Sequence, residues 1–236
     1  MSGSERGVCV VAGVGPGNGV SISRRFARGG YRVAMLARSE AKLAEWEKAI
    51  PGSRGYACDV ADRAAVGAAF AALRAELGPV DVLVHNAAAG AFGEFMDVAP
   101  ETLETTFRVN VMSLLHCGQA AARDMLERGA GAIVVTGNTS ARRGRAGFAA
   151  FAPTKAAQRI LAESMARSLG PKGIHVAYAV IDAVIDVPWT RARFADRPDD
   201  FFAQPDDIAE TIWHLAHQPR SAWSFEVDLR PFGESW

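Results

Sequence analysis

Short runs rich in β-branched and apolar residues recur along this chain, separated by longer stretches with helical spacing. The strand candidates are GVCVVA, YRVAMLA, SRGYACD, VDVLVHN, AIVVTG, HVAYAV and SFEVDL. Between them, residues 39–49 and 61–77 read as helices, with Ser39 and either Asp59 or Asp62 available as N-caps. Residues 157–169 set Ile160, Leu161, Ser164, Met165, Ser168 and Leu169 on one helical face, and Gly170, Pro171 and Gly173 end that helix. Such alternation builds an α/β, Rossmann-type, doubly wound parallel sheet with helices on both faces, because parallel strands need crossover connections that cover the sheet. About seven strands are expected, in a single domain over residues 1–236, since no repeat or linker interrupts the pattern. Ligands in such folds bind beyond the carboxyl ends of the strands, so the loops there carry the chemistry.

Charge narrows the function classes. With 26 basic and 26 acidic residues, the chain lacks the cationic surplus that non-specific nucleic-acid binding needs. Cys9, Cys58 and Cys117 are widely spaced, odd in number and without metal-ligand spacing, which reads as buried free thiols in a reducing compartment. The polar start MSGSERG leads into an apolar run too short for a signal peptide or a membrane span, so a cytoplasmic location and no membrane partner are expected. No metal site is expected.

The first post-strand loop is AGVGPGNGVSISRRFA, in which Gly13, Gly15, Gly17 and Gly19 lie between a strand and a helix. Glycine lets the backbone turn tightly and approach a phosphate, and the following helix offers free N–H groups. The spacing fits neither GxGxxG nor the triphosphate-binding GxxxxGK[ST] loop, but fits GxxxGxG as Gly13, Gly17 and Gly19. At the end of the second strand, where an NAD site wants an acid for the ribose hydroxyls, the chain has Ala37 and Arg38. A guanidinium there matches a 2′-phosphate, which favours NADP(H) over NAD(H).

These features resemble the short-chain dehydrogenase/reductase superfamily over residues 6–229. GVGPGNG is similar to its TGxxxGxG loop, with Ala12 for Thr. Asp59 and Val60 resemble its adenine-contacting pair, and HNAAAG resembles its NNAG, keeping Asn86 and Ala87. VNVMSLL matches its fourth-helix motif and makes Asn110 the equivalent of the catalytic asparagine. The resemblance adds Asn18, Val20, Ile185 and Lys155 to the cofactor-binding set. It also implies a small-molecule substrate and a homo-oligomer, a tetramer or dimer built through the fourth and fifth helices.

The family's YxxxK motif is altered. Lys155 matches the lysine, but Phe151 stands four residues before it, and Asn138 lies thirteen before that, where the family has serine. A branch that places its tyrosine seven before the lysine would find Phe148. In the family, hydride reaches a carbonyl, the tyrosine supplies the proton, the serine polarises the carbonyl and the asparagine holds a relay water. Lys155 could still hold the nicotinamide ribose or deliver a proton, and Asn138 could still donate to a carbonyl oxygen. A solvated surface charge is the plain alternative for Lys155.

Other candidates are Asp182 and Asp186 in VIDAVIDVPW, where the family has a Pro-Gly turn and Val187 falls near its threonine position. Arg142, Arg143 and Arg145 read as surface charge or an anion site, and His85 and His116 as alternative donors or structural residues. The resulting expectation is an NADP(H)-dependent oxidoreductase acting on a small carbonyl or conjugated substrate. Its rival is a non-catalytic NADP(H)-binding sensor or partner subunit.

Overall fold

A computed structural model describes residues 6–234; the expectations for the polar start and for the last two positions lie outside the described residues. Strands β1 (Arg6–Ala12), β2 (Tyr31–Ala37) and β3 (Ser53–Ala57) alternate with helices α1 (Asn18–Arg28), α2 (Glu40–Ala49) and α3 (Arg63–Leu77). Next come β4 (Val80–His85), α4 (Pro100–Phe107), α5 (Ser113–Arg128), β5 (Gly131–Asn138), α6 (Ala152–Leu169) and β6 (Ile174–Ile181). The chain closes with β7 (Val184–Ile185), α7 (Pro188–Arg193), β8 (Phe202–Ala203), α8 (Pro205–Ala216) and β9 (Glu226–Leu229).

Seven strands form one sheet in the order β3-β2-β1-β4-β5-β6-β9, every pair parallel. The doubly wound fold expected from the alternation is therefore present. The period-2 pleat explains why the strand sequences are apolar throughout. Val8, Val10 and Ala12 of β1 face one core with Phe70, Leu114 and Ala162, from α3, α5 and α6. Cys9 and Val11 face the other, with Ile22, Leu43 and Ile212 from α1, α2 and α8. Cys9, Cys58 and Cys117 are free and buried, as their spacing suggested.

Local signals set the helix starts. Ser39 Oγ accepts from Lys42 N, and Asp62 accepts from Ala64 N at 2.8 Å, so Asp62 is the cap of α3. Asp59 instead accepts from Ala61 N at 3.0 Å, one turn earlier. The expected helix over 157–169 begins at Ala152, because Pro153 suits a first turn where no N–H is needed. Its inward face also differs from expectation: Lys155, Gln158 and Ala162 are buried, whereas Ile160, Ser164 and Ser168 are exposed. Apolar spacing alone misassigned this face because its buried positions include a cation and an amide.

Candidate active site

Strand order reverses direction on either side of β1 and β4, and a cavity of about 810 Å³ opens there. β1 ends at Ala12, and Gly13 turns the chain at φ +87°; a Cβ there would lie 2.4 Å from Ala87 Cα. Only glycine fits so close beside the end of β4. Asn86 Nδ2 donates to the Gly13 carbonyl at 2.9 Å and ties the two strand ends together. Gly15 faces open space, with nothing within 4 Å of an added Cβ. The first turn of α1 has no acidic residue, so its free N–H groups present an uncompensated positive end. Asn18 contributes a buried Oδ1 with no hydrogen-bond partner.

Gly13, Gly15, Asn18 and Gly19 line this cavity. So do Arg38 at the end of β2, Asp59 and Val60 after β3, and Asn86 and Ala87 after β4. At the other end it is lined by Asn138, Lys155 and Ile185. Gly17 and Val20 are not among its lining residues: Gly17 turns against Val187, and Val20 packs toward the core. A glycine cradle, an orphaned polar acceptor and an exposed arginine at one end fit an elongated ligand bearing phosphates, as a dinucleotide does. Thr105, Arg108 and Trp189 also line the cavity, and their isolated positions carried no sequence signal.

Lys155 is almost fully buried, which excludes the surface-charge alternative. Its Nζ donates to the Thr136 carbonyl at 3.2 Å and to Gln158 Oε1. Desolvation without a carboxylate bonded to Nζ pushes its pKa down to about 7. Asn138 Oδ1 accepts from Ser140 N at 3.1 Å, which turns its NH₂ into the donor that remains for other groups. Asn110 does not reach the cavity. It sits wholly buried in a π-turn, Arg108–Met112, between α4 and α5. There its side chain accepts from Ala89 N at 2.8 Å and donates to Ala89 O at 3.1 Å and to Thr154 Oγ1 at 2.9 Å. Its main-chain carbonyl accepts from Gln158 Nε2 at 2.9 Å. Gln158 was missed in the sequence, although its i,i+3 spacing from Lys155 places both on one face.

The remaining candidates resolve into structural partners. His85 is fully buried, its Nε2 2.7 Å from Ser113 Oγ, and burial together with the Lys155 charge lowers its pKa to about 3. Such an imidazole stays neutral and is not a proton donor at ordinary pH. His116 does not line the cavity. Asp186 takes a bidentate pair from Arg191, at 2.6 and 2.7 Å, and a bond from Gln204. These contacts, the arginine first, hold its carboxyl at about 2. Asp182 lies 4.0 Å from Arg143. Arg142 pairs with Glu226 at 2.6 Å and Asp228 at 2.9 Å, so its charge is already matched. Arg145 lies over the Phe148 ring. Phe151 is buried in an aromatic cluster with Phe92 and Phe148. None of the three tyrosines lines the cavity.

Among the described residues, no cluster of three metal-ligating side chains occurs, and no helix is long and apolar enough to cross a membrane. Residues 7–197 match the family model for short chain dehydrogenase. L-xylulose reductase of Bos taurus is 32% identical over 217 residues, covering 87% of each chain. Carbonyl reductase [NADPH] 2 of Sus scrofa is 31% identical over 216 residues, again covering 87% of each. A solved short-chain dehydrogenase from Rhodopseudomonas palustris is 32% identical and superposes with a TM-score of 0.82 across 96% of this chain and 99% of its own. With the glycine cradle, the parallel sheet and the lysine-bearing α6 all in place, the chain belongs to the short-chain dehydrogenase family.

Proposed function

We propose that this chain is one NADP(H)-binding domain that works as an oxidoreductase on a small carbonyl or conjugated substrate, with an altered proton-delivery site. The observation that carries the reading is a single cavity shared by the glycine cradle, Arg38 and Lys155. Relatives named for the reduction of L-xylulose and for NADPH-dependent carbonyl reduction support it.

In this reading, NADPH, when bound, would supply the hydride for the carbonyl carbon. The chain's own residues do the rest. The cradle and the α1 N-terminus would hold the pyrophosphate, Arg38 the 2′-phosphate, Asp59 and Val60 the adenine end, and Asn86, Ala87 and Ile185 the ribose and nicotinamide end. Asn138 donates to the carbonyl oxygen as negative charge develops on it. Lys155 holds the ribose and, from its ammonium form, gives that oxygen a proton; solvent restores it. A positioned general acid is worth ~10²–10⁴ in rate, whereas cofactor and substrate positioning can supply more. Phe151 in place of a phenol therefore slows ordinary ketone reduction without abolishing hydride transfer to a more electrophilic acceptor. A homo-oligomer through the family's fourth and fifth helices, which are α5 and α6 here, belongs to the same reading, since Leu126 and Ile160 stand exposed there.

The test is to titrate purified protein with NADPH and NADH, then to follow nicotinamide absorbance across a panel of ketones, ketoses and enones. NADPH preference with turnover on at least one class supports the proposal. One observation favours the rival reading: the ring nearest Lys155 in sequence carries no hydroxyl. Tight NADPH binding with no turnover on any class would make the protein a non-catalytic sensor or partner subunit.

A further inference from the structure

Among the polar side chains on the buried face of α6 that the proposed reaction leaves without a role, one bonds Lys155 directly. Gln158 lies one turn beyond Lys155 and is fully buried. Its Oε1 accepts from Lys155 Nζ, and its Nε2 donates to the Asn110 carbonyl at 2.9 Å. These partners set the orientation of the amide, because the reverse would put N–H groups against the ammonium and oxygen against a carbonyl. Tyr178 Oη adds a weaker contact, donating to Oε1 at 3.4 Å. Asn110 in turn clasps both backbone groups of Ala89, which lines the cavity. Hydrogen bonds thus run unbroken from the cavity wall through Asn110 and Gln158 to the lysine.

We propose that Gln158 is the positioning residue of Lys155: its bridging amide holds Nζ in the wall of the cavity and leaves the lysine free to exchange between charged and neutral forms. This deepens the oxidoreductase reading and rests on it only for the use made of the proton. A carboxylate at this position would lock the lysine as an ammonium. An aliphatic side chain would leave both Nζ and the Asn110 carbonyl short of a partner in a buried site. An amide oxygen accepts from –NH₃⁺ and from –NH₂ alike, so neither form breaks the clamp. The titratable groups around the lysine do not compete. His85 on β4 is neutral and bonded to Ser113. Tyr178 on β6 is held protonated by burial. Glu226 on β9, which acts on Tyr178, is already paired with Arg142 and Arg159.

The experiment follows the Lys155 side-chain resonance by NMR across pH, in full-length protein without cofactor, assigned by its loss in Lys155→Met. Parent, Gln158→Glu and Gln158→Leu are compared. The glutamate should raise the Lys155 midpoint by about one to three pH units, and the leucine should lower it. In the same variants, the pH profile of any NADPH-dependent reduction should move with the NMR midpoint. A midpoint unchanged in Gln158→Glu overturns the proposal, provided that variant matches the parent in urea stability; so does a midpoint that rises in Gln158→Leu. Gln158→Glu preserves shape and decides the matter alone if the leucine variant does not fold. The titration needs no turnover, so its failure is distinct from a failure to reduce carbonyls.

Discussion

The rings of Phe151 and Phe92 stand 5.5 Å apart at 55°, and Phe148 lies 5.1 Å from Phe92. Phe151 sits four residues before Lys155, at the start of α6, yet its ring is spent on packing against neighbours rather than on lining the cavity. Phe92 is itself exposed, so this packing partner of Phe151 lies at the surface of the cluster.

That arrangement predicts how a proton donor could be restored. Phe151→Tyr should raise NADPH-dependent reduction of an activated ketone, with a ceiling of ~10²–10⁴, the worth of a general acid. The gain should be larger beside Phe92→Ala, which removes one of the two rings packed on position 151 and lets the new phenol reorient. Steady-state rates of both variants against their parents decide it. No gain in either background means that position 151 does not replace the family's tyrosine.

Cofactor choice follows from Arg38. Arg38→Asp should weaken NADPH binding by about 10- to 150-fold, the loss of a charge-assisted hydrogen bond worth ~1.5–3 kcal/mol. NADH binding should hold or improve. Fluorescence titration of both cofactors checks this, and unchanged NADPH affinity would remove Arg38 from the site.

Lys155 ties stability to pH. The unfolded chain holds this proton up to an ordinary lysine value of 10.5, whereas the folded site releases it at about 7. Below pH 7 both states are charged and the burial penalty is complete. As pH rises from 7 toward 10.5 the unfolded chain binds more protons than the folded one, so the penalty fades. Lys155→Met should therefore gain most in stability over the parent near pH 6, with the gap narrowing toward pH 10. Urea melts at several pH values would show it; a pH-independent gap would sink the idea.

Two glycines of the cradle should respond in opposite ways. Gly13→Ala forces a Cβ to 2.4 Å from Ala87 Cα at a positive φ, so it should destabilise the fold by about 1–3 kcal/mol or more. Gly15→Ala meets nothing within 4 Å, so stability should hold while the new methyl group intrudes on the cavity and weakens NADPH. Thermal melts alongside cofactor titration separate the two effects.

The alternation of strand and helix, the glycine loop and Arg38 were legible in the sequence because each is a local device. Period-2 apolar runs bury on both sheet faces, glycine spacing marks a tight turn at the end of β1, and the residue that follows β2 lines the same cavity as that turn. Lys155 was legible as a candidate, but its state was not, since a charge is perturbed only by what surrounds it. Tertiary structure removed it from water and set Thr136 and Gln158 against it, with no carboxylate bonded to its Nζ among the described residues. The same holds for the residues that sequence spacing brought near the site and folding reassigned. Asn110 became a brace for Ala89, His85 a buried neutral ring on Ser113, and Asp186 the partner of Arg191. For Asn110 and His85 the deciding contact joins segments more than twenty residues apart, invisible to any local pattern, whereas Asp186 is claimed by an arginine only five residues on.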